Sequence, residues 1–154
     1  MTKKAAFNAD EWATIVQGPL LAGARVITAD GGGTLRESLA LGKVYAQARQ
    51  QQGHSELLDE LVSAPPALDR DTLQGGGDIA AVTASRLAEA LRILQEKASA
   101  DEVEAYKAFV ISLAQAAATA HREGGFLGVG AKQISEREQR ALDEITATLD
   151  GAPA

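Results

Sequence analysis

The chain has 154 residues, of which 45% are hydrophobic, a length and content that suit one globular domain with a real core. A net charge of −6 and a pI near 4.9 argue against a nucleic-acid footprint, which needs clustered Lys and Arg on one face. The absence of cysteine removes disulfides, cysteine-based zinc sites and thiol nucleophiles.

Aromatic residues make up only 4% of the chain, while alanine, leucine and glycine abound. The core must then be largely aliphatic and the helices can approach closely, so the composition predicts an all-α protein. Lys3 and Lys4 are followed by Ala5, Ala6, Phe7 and Asn8 without an apolar signal region, and no later stretch is apolar for long enough to span a bilayer. The expected location is cytoplasmic.

The first helix is predicted to start at Asn8, where Asn8 and Glu11 form a cap pair and Phe7 can staple onto Trp12. It should run to about Ala29 on an apolar face of Ile15, Val16, Leu20, Val26 and Ile27, bent or broken at Gly18-Pro19. A second helix follows Thr34 with Leu35, Leu39, Leu41, Val44 and Tyr45, and ends at Gln50-Gln51-Gln52-Gly53. A short third helix spans Ser55 to Val62 and stops before Pro65-Pro66.

Residues 63–78, with two prolines and a glycine triplet, read as an irregular connector with room for one helical turn. Asp78 then caps a long helix whose Ile79, Val82, Leu87, Leu91 and Leu94 recur at helical spacing. Ser99-Ala100-Asp101-Glu102 is a capping box that restarts the chain as a helix with the stripe Val103, Tyr106, Phe109, Val110, Leu113, Ala114 and Ala117. The final helix starts at Ser135 and turns Leu142, Ile145 and Leu149 inward. No window alternates at period two with β-branched residues, so strands have no support.

One pattern occurs near each end: an alanine-rich amphipathic stretch, an acid with glycines, then a capping box. The first copy is Ala29-Asp30-Gly31-Gly32-Gly33-Thr34-Leu35-Arg36-Glu37, and the second is Arg122-Glu123-Gly124-Gly125, a longer loop, then Ile134-Ser135-Glu136-Arg137-Glu138. The expected architecture is a compact single domain of six to seven helices in two pseudo-symmetric halves. The first covers about 8–62 and the second about 79–150.

These motifs resemble the tellurite-resistance TerB-like domains, compact helical bundles in which each half reads alanine, acid, glycine, then a hydrophobic residue, a cap residue and a glutamate seven positions after the acid. Asp30, Gly31, Thr34 and Glu37 match in type and spacing, with Gly33 in place of the hydrophobic residue. In the second copy Ile134, Ser135 and Glu138 match, but Ile134 stands eleven positions after Glu123 instead of three, behind an insertion holding Phe126-Leu127-Gly128-Val129-Gly130. The chain also looks like an uncharacterised bacterial group sharing the Glu-Trp start and the Gly-Gly-Phe-Leu-Gly loop. The resemblance implies a stress-response setting, acidic metal-binding surfaces and membrane-linked complexes.

On that reading Asp30, Glu37, Glu123 and Glu138 would offer oxygen ligands suited to Ca2+ or Mg2+ at the two equivalent helix junctions. The competing reading is structural, because Glu37 and Glu138 are fourth residues of capping boxes and Asp30 is a natural turn residue before glycine. An EF-hand is excluded, since Leu41 stands where its bidentate glutamate belongs.

The glycine triplets Gly31-Gly32-Gly33 and Gly75-Gly76-Gly77 follow no strand and carry no phosphate-loop lysine, so they read as loops. There is no Glu-x-x-His pair and no Gly-x-Ser-x-Gly elbow. His121 sits late in its helix, where it complements the dipole, and His54 lies in a turn. The residues argue against an enzyme. Phe126, Leu127 and Val129, apolar side chains on a glycine-rich loop, are the candidates for contact with a protein partner, a second copy or lipid, the competing reading being that Phe126 and Leu127 tuck back over one end of the bundle. The sequence therefore leads to a non-catalytic helical interaction module, with a divalent-metal-binding domain as the alternative and an enzyme with an unrecognised acidic site behind both.

Overall fold

A computed structural model describes residues 2–29, 35–63, 78–123 and 134–151, with residues 35–38 and 121–123 as backbone. It is all-helical: a short 3-10 turn at Lys4–Ala6 precedes α1 (Ala9–Ala29), α2 (Leu35–Gln50), α3 (Glu56–Val62), α4 (Ile79–Lys97), α5 (Ala100–Glu123) and α6 (Glu136–Leu149). Among the described residues there is no strand.

Most helix starts follow from local chemistry. A helix leaves its first N–H groups without partners, and a side chain three residues away can supply one. The Asn8 N–H donates to Glu11 Oε2 and the Glu11 N–H to Asn8 Oδ1, both at 2.9 Å. Phe7 lies 5.9 Å from Trp12 between ring centres, as the staple requires. Ser55 and Asp78 accept from the N–H groups of Leu58 and Ala81. Ser99 with Glu102 and Ser135 with Glu138 form reciprocal boxes. Beyond α2 the chain turns at Gly53, whose φ of +104° is a conformation that side chains with a Cβ rarely adopt. The Thr34–Glu37 box and the connector at 64–77 lie outside the residues whose side chains are described.

Helix α1 is the centre of the bundle, packing most extensively on α5 and α4 and also against α6. It runs antiparallel to α4: Thr83 Oγ1 donates to the Leu21 carbonyl, Leu87 meets Gly18, and Lys97 pairs with Glu11 at 2.6 Å. The chain then reverses at Ala98-Ser99, so α5 travels alongside α1 in the same direction, with Tyr106 against Ile15. Helix α2 covers α5, where Tyr45 stacks edge-on against Phe109 at 5.2 Å, and α6 reaches α1 through Arg25 and Glu144 at 3.0 Å. The main packing thus joins helices from opposite ends of the sequence. Ile15, Ala22, Val26, Leu87, Leu94, Val110 and Leu113 are almost wholly withdrawn from solvent.

Of the bend or break expected at Gly18-Pro19, the break does not occur: α1 continues through it as one helix. Proline has no N–H, so a proline at position 19 leaves the Ile15 carbonyl without its helical donor. The Tyr106 hydroxyl donates to that carbonyl at 2.8 Å from across the bundle. Gly18 makes this possible, because a Cβ there would sit 2.3 Å from the Tyr106 hydroxyl oxygen.

Two residues assigned to apolar stripes face water instead, Leu39 at 58% and Val82 at 47% exposure. At about 100° per residue, Leu39 lies roughly 200° from Leu41, and Leu41 and Tyr45 carry the core contact of α2. Val82 stands similarly away from the buried row of Leu87, Leu91 and Leu94.

The carbonyl bond sets a testable coupling. Tyr106→Phe should cost roughly 1–2 kcal/mol, as expected when a buried acceptor loses its only donor. In a Pro19→Ala background, where a backbone N–H serves Ile15 again, the same substitution should cost less than half as much. A double-mutant cycle by urea unfolding reads the difference.

Candidate functional site

Of the four sequence-predicted acids, one has a described side chain. Asp30 lies outside the described residues. Glu37 is in the first turn of α2 and Glu123 is the last residue of α5, both described as backbone. Glu138 is the one whose side chain is placed: it is 2% exposed, and its Oε2 accepts from the Ser135 N–H at 3.1 Å while Ser135 Oγ accepts from the Glu138 N–H at 3.1 Å. That pairing gives it the capping role read from the sequence. Phe126, Leu127 and Val129 fall outside the described residues, and His54 is exposed in its turn.

Two open grooves mark the described surface. One, of about 580 Å³, runs between α2 and α5 over Ala48, Ala116 and Ala120, with Lys43, Gln47 and Gln115 along its sides. The other, of about 570 Å³, lies between α1, α3 and the N-terminal arm, over Val16 and Leu61, with Trp12 and Lys4 on one side and Gln17, Glu60 and Ser63 around it. The second combines an apolar floor with polar residues around it. Trp12 is half-buried, so it offers apolar area without needing to unfold, and tryptophan is prominent among residues that anchor interfaces.

Lys4 defines the edge of that groove. Its ammonium stands 5.9 Å from the centre of the Trp12 ring, within range of a cation–π contact. Its backbone N–H donates to Glu60 Oε2, which fixes the arm to α3. The sequence identifies Trp12 as a staple partner of Phe7, and that contact is present; its place in the groove was not foreseen. No local signal pointed to Glu60 or Ser63, because they reach the groove only through the packing of α3.

The groups with displaced pKa values line neither groove. Glu11 is held below the usual carboxylate range by Lys97 first and then by the Asn8 N–H, and Glu89 is lowered chiefly by Arg92. Burial pushes the phenols of Tyr45 and Tyr106 upward. The Tyr45 hydroxyl has no partner among the described residues.

Glu102 is the most strongly held acid. It is 5% exposed and its carboxylate accepts from the Thr2 N–H at 2.6 Å, the Thr2 hydroxyl at 2.7 Å, the Ser99 N–H at 3.0 Å and the Ser99 hydroxyl at 3.1 Å. Burial alone would raise its pKa; the donors of Thr2 and then Ser99 outweigh that and hold it at about 2.

Comparison with protein-family models, with curated proteins and with solved structures returns no match.

Because the folded pKa of Glu102 lies below its ordinary 4.5, the folded state gains stability that is complete above about pH 4.5 and drains away as the pH falls toward 2. Glu102→Gln should cost on the order of 1–3 kcal/mol at pH 7. Its deficit relative to the parent should shrink steadily between pH 4.5 and 2, as read by urea midpoints across that window. A deficit that stays constant with pH would contradict the assignment.

Proposed function

We propose that the chain is a non-catalytic helical interaction module, of the stress-response kind that its resemblance to TerB-like domains implies, and that it meets its partner at the Trp12 groove. The observation that carries this reading is the half-buried Trp12 over an apolar floor of Val16 and Leu61, ringed by polar Lys4, Gln17, Glu60 and Ser63. An apolar centre with a polar rim is the anatomy of a protein contact. One wall of that groove is α1, the helix most firmly seated in the core, so that wall is preorganised and binding need not order it.

The acids support the same reading. Glu11, Glu102 and Glu138 serve helix starts, and Glu89 serves an ion pair with Arg92, so the described carboxylates with identified partners are engaged in holding the fold. The partner is a protein segment or a second copy of the chain, recognised at the groove in place of chemistry on a small substrate.

A photo-crosslinking residue placed at Gln17, exposed beside the groove, should give discrete adducts in the native host, whereas one at Thr146, exposed on α6, should not. Equal labelling at both sites would overturn the assignment. The mass of the adduct, read with sedimentation over a wide concentration range, distinguishes a second copy from a different protein.

A further inference from the structure

The segment ahead of α1 is fastened at points far apart in the sequence. Thr2 is held by the Glu102 carboxylate at the start of α5, and Thr2 Oγ1 also lies 3.4 Å from the Lys97 carbonyl. Lys4 is held by Glu60 of α3 through its backbone N–H. Lys97 Nζ donates to the Ala6 carbonyl at 3.3 Å and stands 5.8 Å from the Phe7 ring. Yet residues 3–6 are exposed and Phe7 is the one member of the arm withdrawn from solvent.

Two features make this arm separable from the bundle. First, α1 carries its own cap at Asn8 and Glu11, so the arm can leave at Phe7 without unwinding the helix behind it. The bonds of the arm to Glu60 and Lys97 are exposed and those to Glu102 part-buried, and Phe7 is its one core side chain, so the arm can open locally at lower cost than the whole fold. Second, Glu102 needs only Ser99 to cap α5; its two bonds to Thr2 serve no helix end and act solely on the arm. The arm in turn carries Lys4, which forms one wall of the groove and overlies the Trp12 ring.

We propose that residues 2–7 form a releasable strap, latched by Glu102, whose opening removes the Lys4 wall and uncovers Trp12. The strap occupies part of the surface assigned above to partner contact, so this inference rests on that reading for its regulatory meaning. Partner binding and strap closure then oppose one another, since a ligand that prefers the open form shifts the population toward it.

Trp12 is the single tryptophan of the chain, so acrylamide quenching of its fluorescence reports the strap, and tryptic cleavage after Lys3 and Lys4 reports it independently. Both should rise in Thr2→Val, which keeps the side-chain size and loses the hydroxyl donor, and more strongly in Glu102→Gln. We expect roughly fivefold and tenfold faster cleavage, under conditions where circular dichroism shows each full-length variant folded. Cleavage and quenching that match the parent, or that rise only in step with global unfolding, overturn the strap. With a crosslinker at Gln17, Thr2→Val should increase adduct yield over the parent, and an unchanged yield would overturn the gating. Absence of adducts with cleavage still raised would sink the partner surface and leave the strap standing, so the two readings fail separately.

Discussion

A single hydrogen bond from across the bundle serves the carbonyl that a proline leaves without a donor in the central helix of this protein. Pro19 removes the donor that the Ile15 carbonyl needs, in the middle of a helix 21 residues long. The Tyr106 hydroxyl replaces it from α5, through the gap left by the missing side chain of Gly18. The three residues form one device: the proline creates the vacancy, the glycine gives access, and the tyrosine fills it. Since α1 is the element on which α4, α5 and α6 assemble, the register of α1 against α5 is fixed by a directional contact as well as by apolar packing. Aliphatic burial is nearly indifferent to small slides between helices; a hydrogen bond of 2.8 Å is not.

Charge is used mainly to begin and join helices. The chain is acidic overall, and its acids repeatedly fall three residues after a cap residue, where a carboxylate can accept a free backbone N–H and favour the positive end of the helix dipole. Arg92 gathers Glu89 and Glu96 along α4, and Lys97 joins Glu11 across to α1. Exposed pairs of this kind add little singly. Glu102 differs because it is buried and because half of its donors come from the far end of the sequence, so it ties the N-terminal arm to a helix junction about a hundred residues away.

The same arrangement places the groove. Trp12 stands one turn into α1 because the Asn8 cap sets the start of that helix, and the staple to Phe7 brings the arm alongside. Lys4 then overlies the indole while Glu60 holds the arm's backbone. A surface built this way joins a firmly packed wall to a loosely buried edge, a combination suited to recognition that can be opened and closed.

Much of the fold was legible in the sequence. The cap residues Asn8, Ser55, Asp78, Ser99 and Ser135 act on N–H groups three residues ahead, so their effect is local and shows in any short window. The stripe of α5 repeats at the helical period and is buried from Val103 to Ala117. Of the proposed acids, Glu138 could be read as a cap residue for the same reason. What the sequence could not decide depended on residues distant along the chain. Pro19 left open a break in the helix because the residue that serves the Ile15 carbonyl, Tyr106, is 91 positions away. Leu39 and Val82 looked like core because hydrophobicity alone does not say which face a neighbouring helix will cover. Trp12 could be recognised as a staple, but its groove required α3 and the arm to be set beside it. Local hydrogen bonding and helical period thus fixed where the helices begin and which residues they present, while long-range packing alone decided which carbonyls are rescued, which apolar residues stay in water and where the Trp12 groove lies.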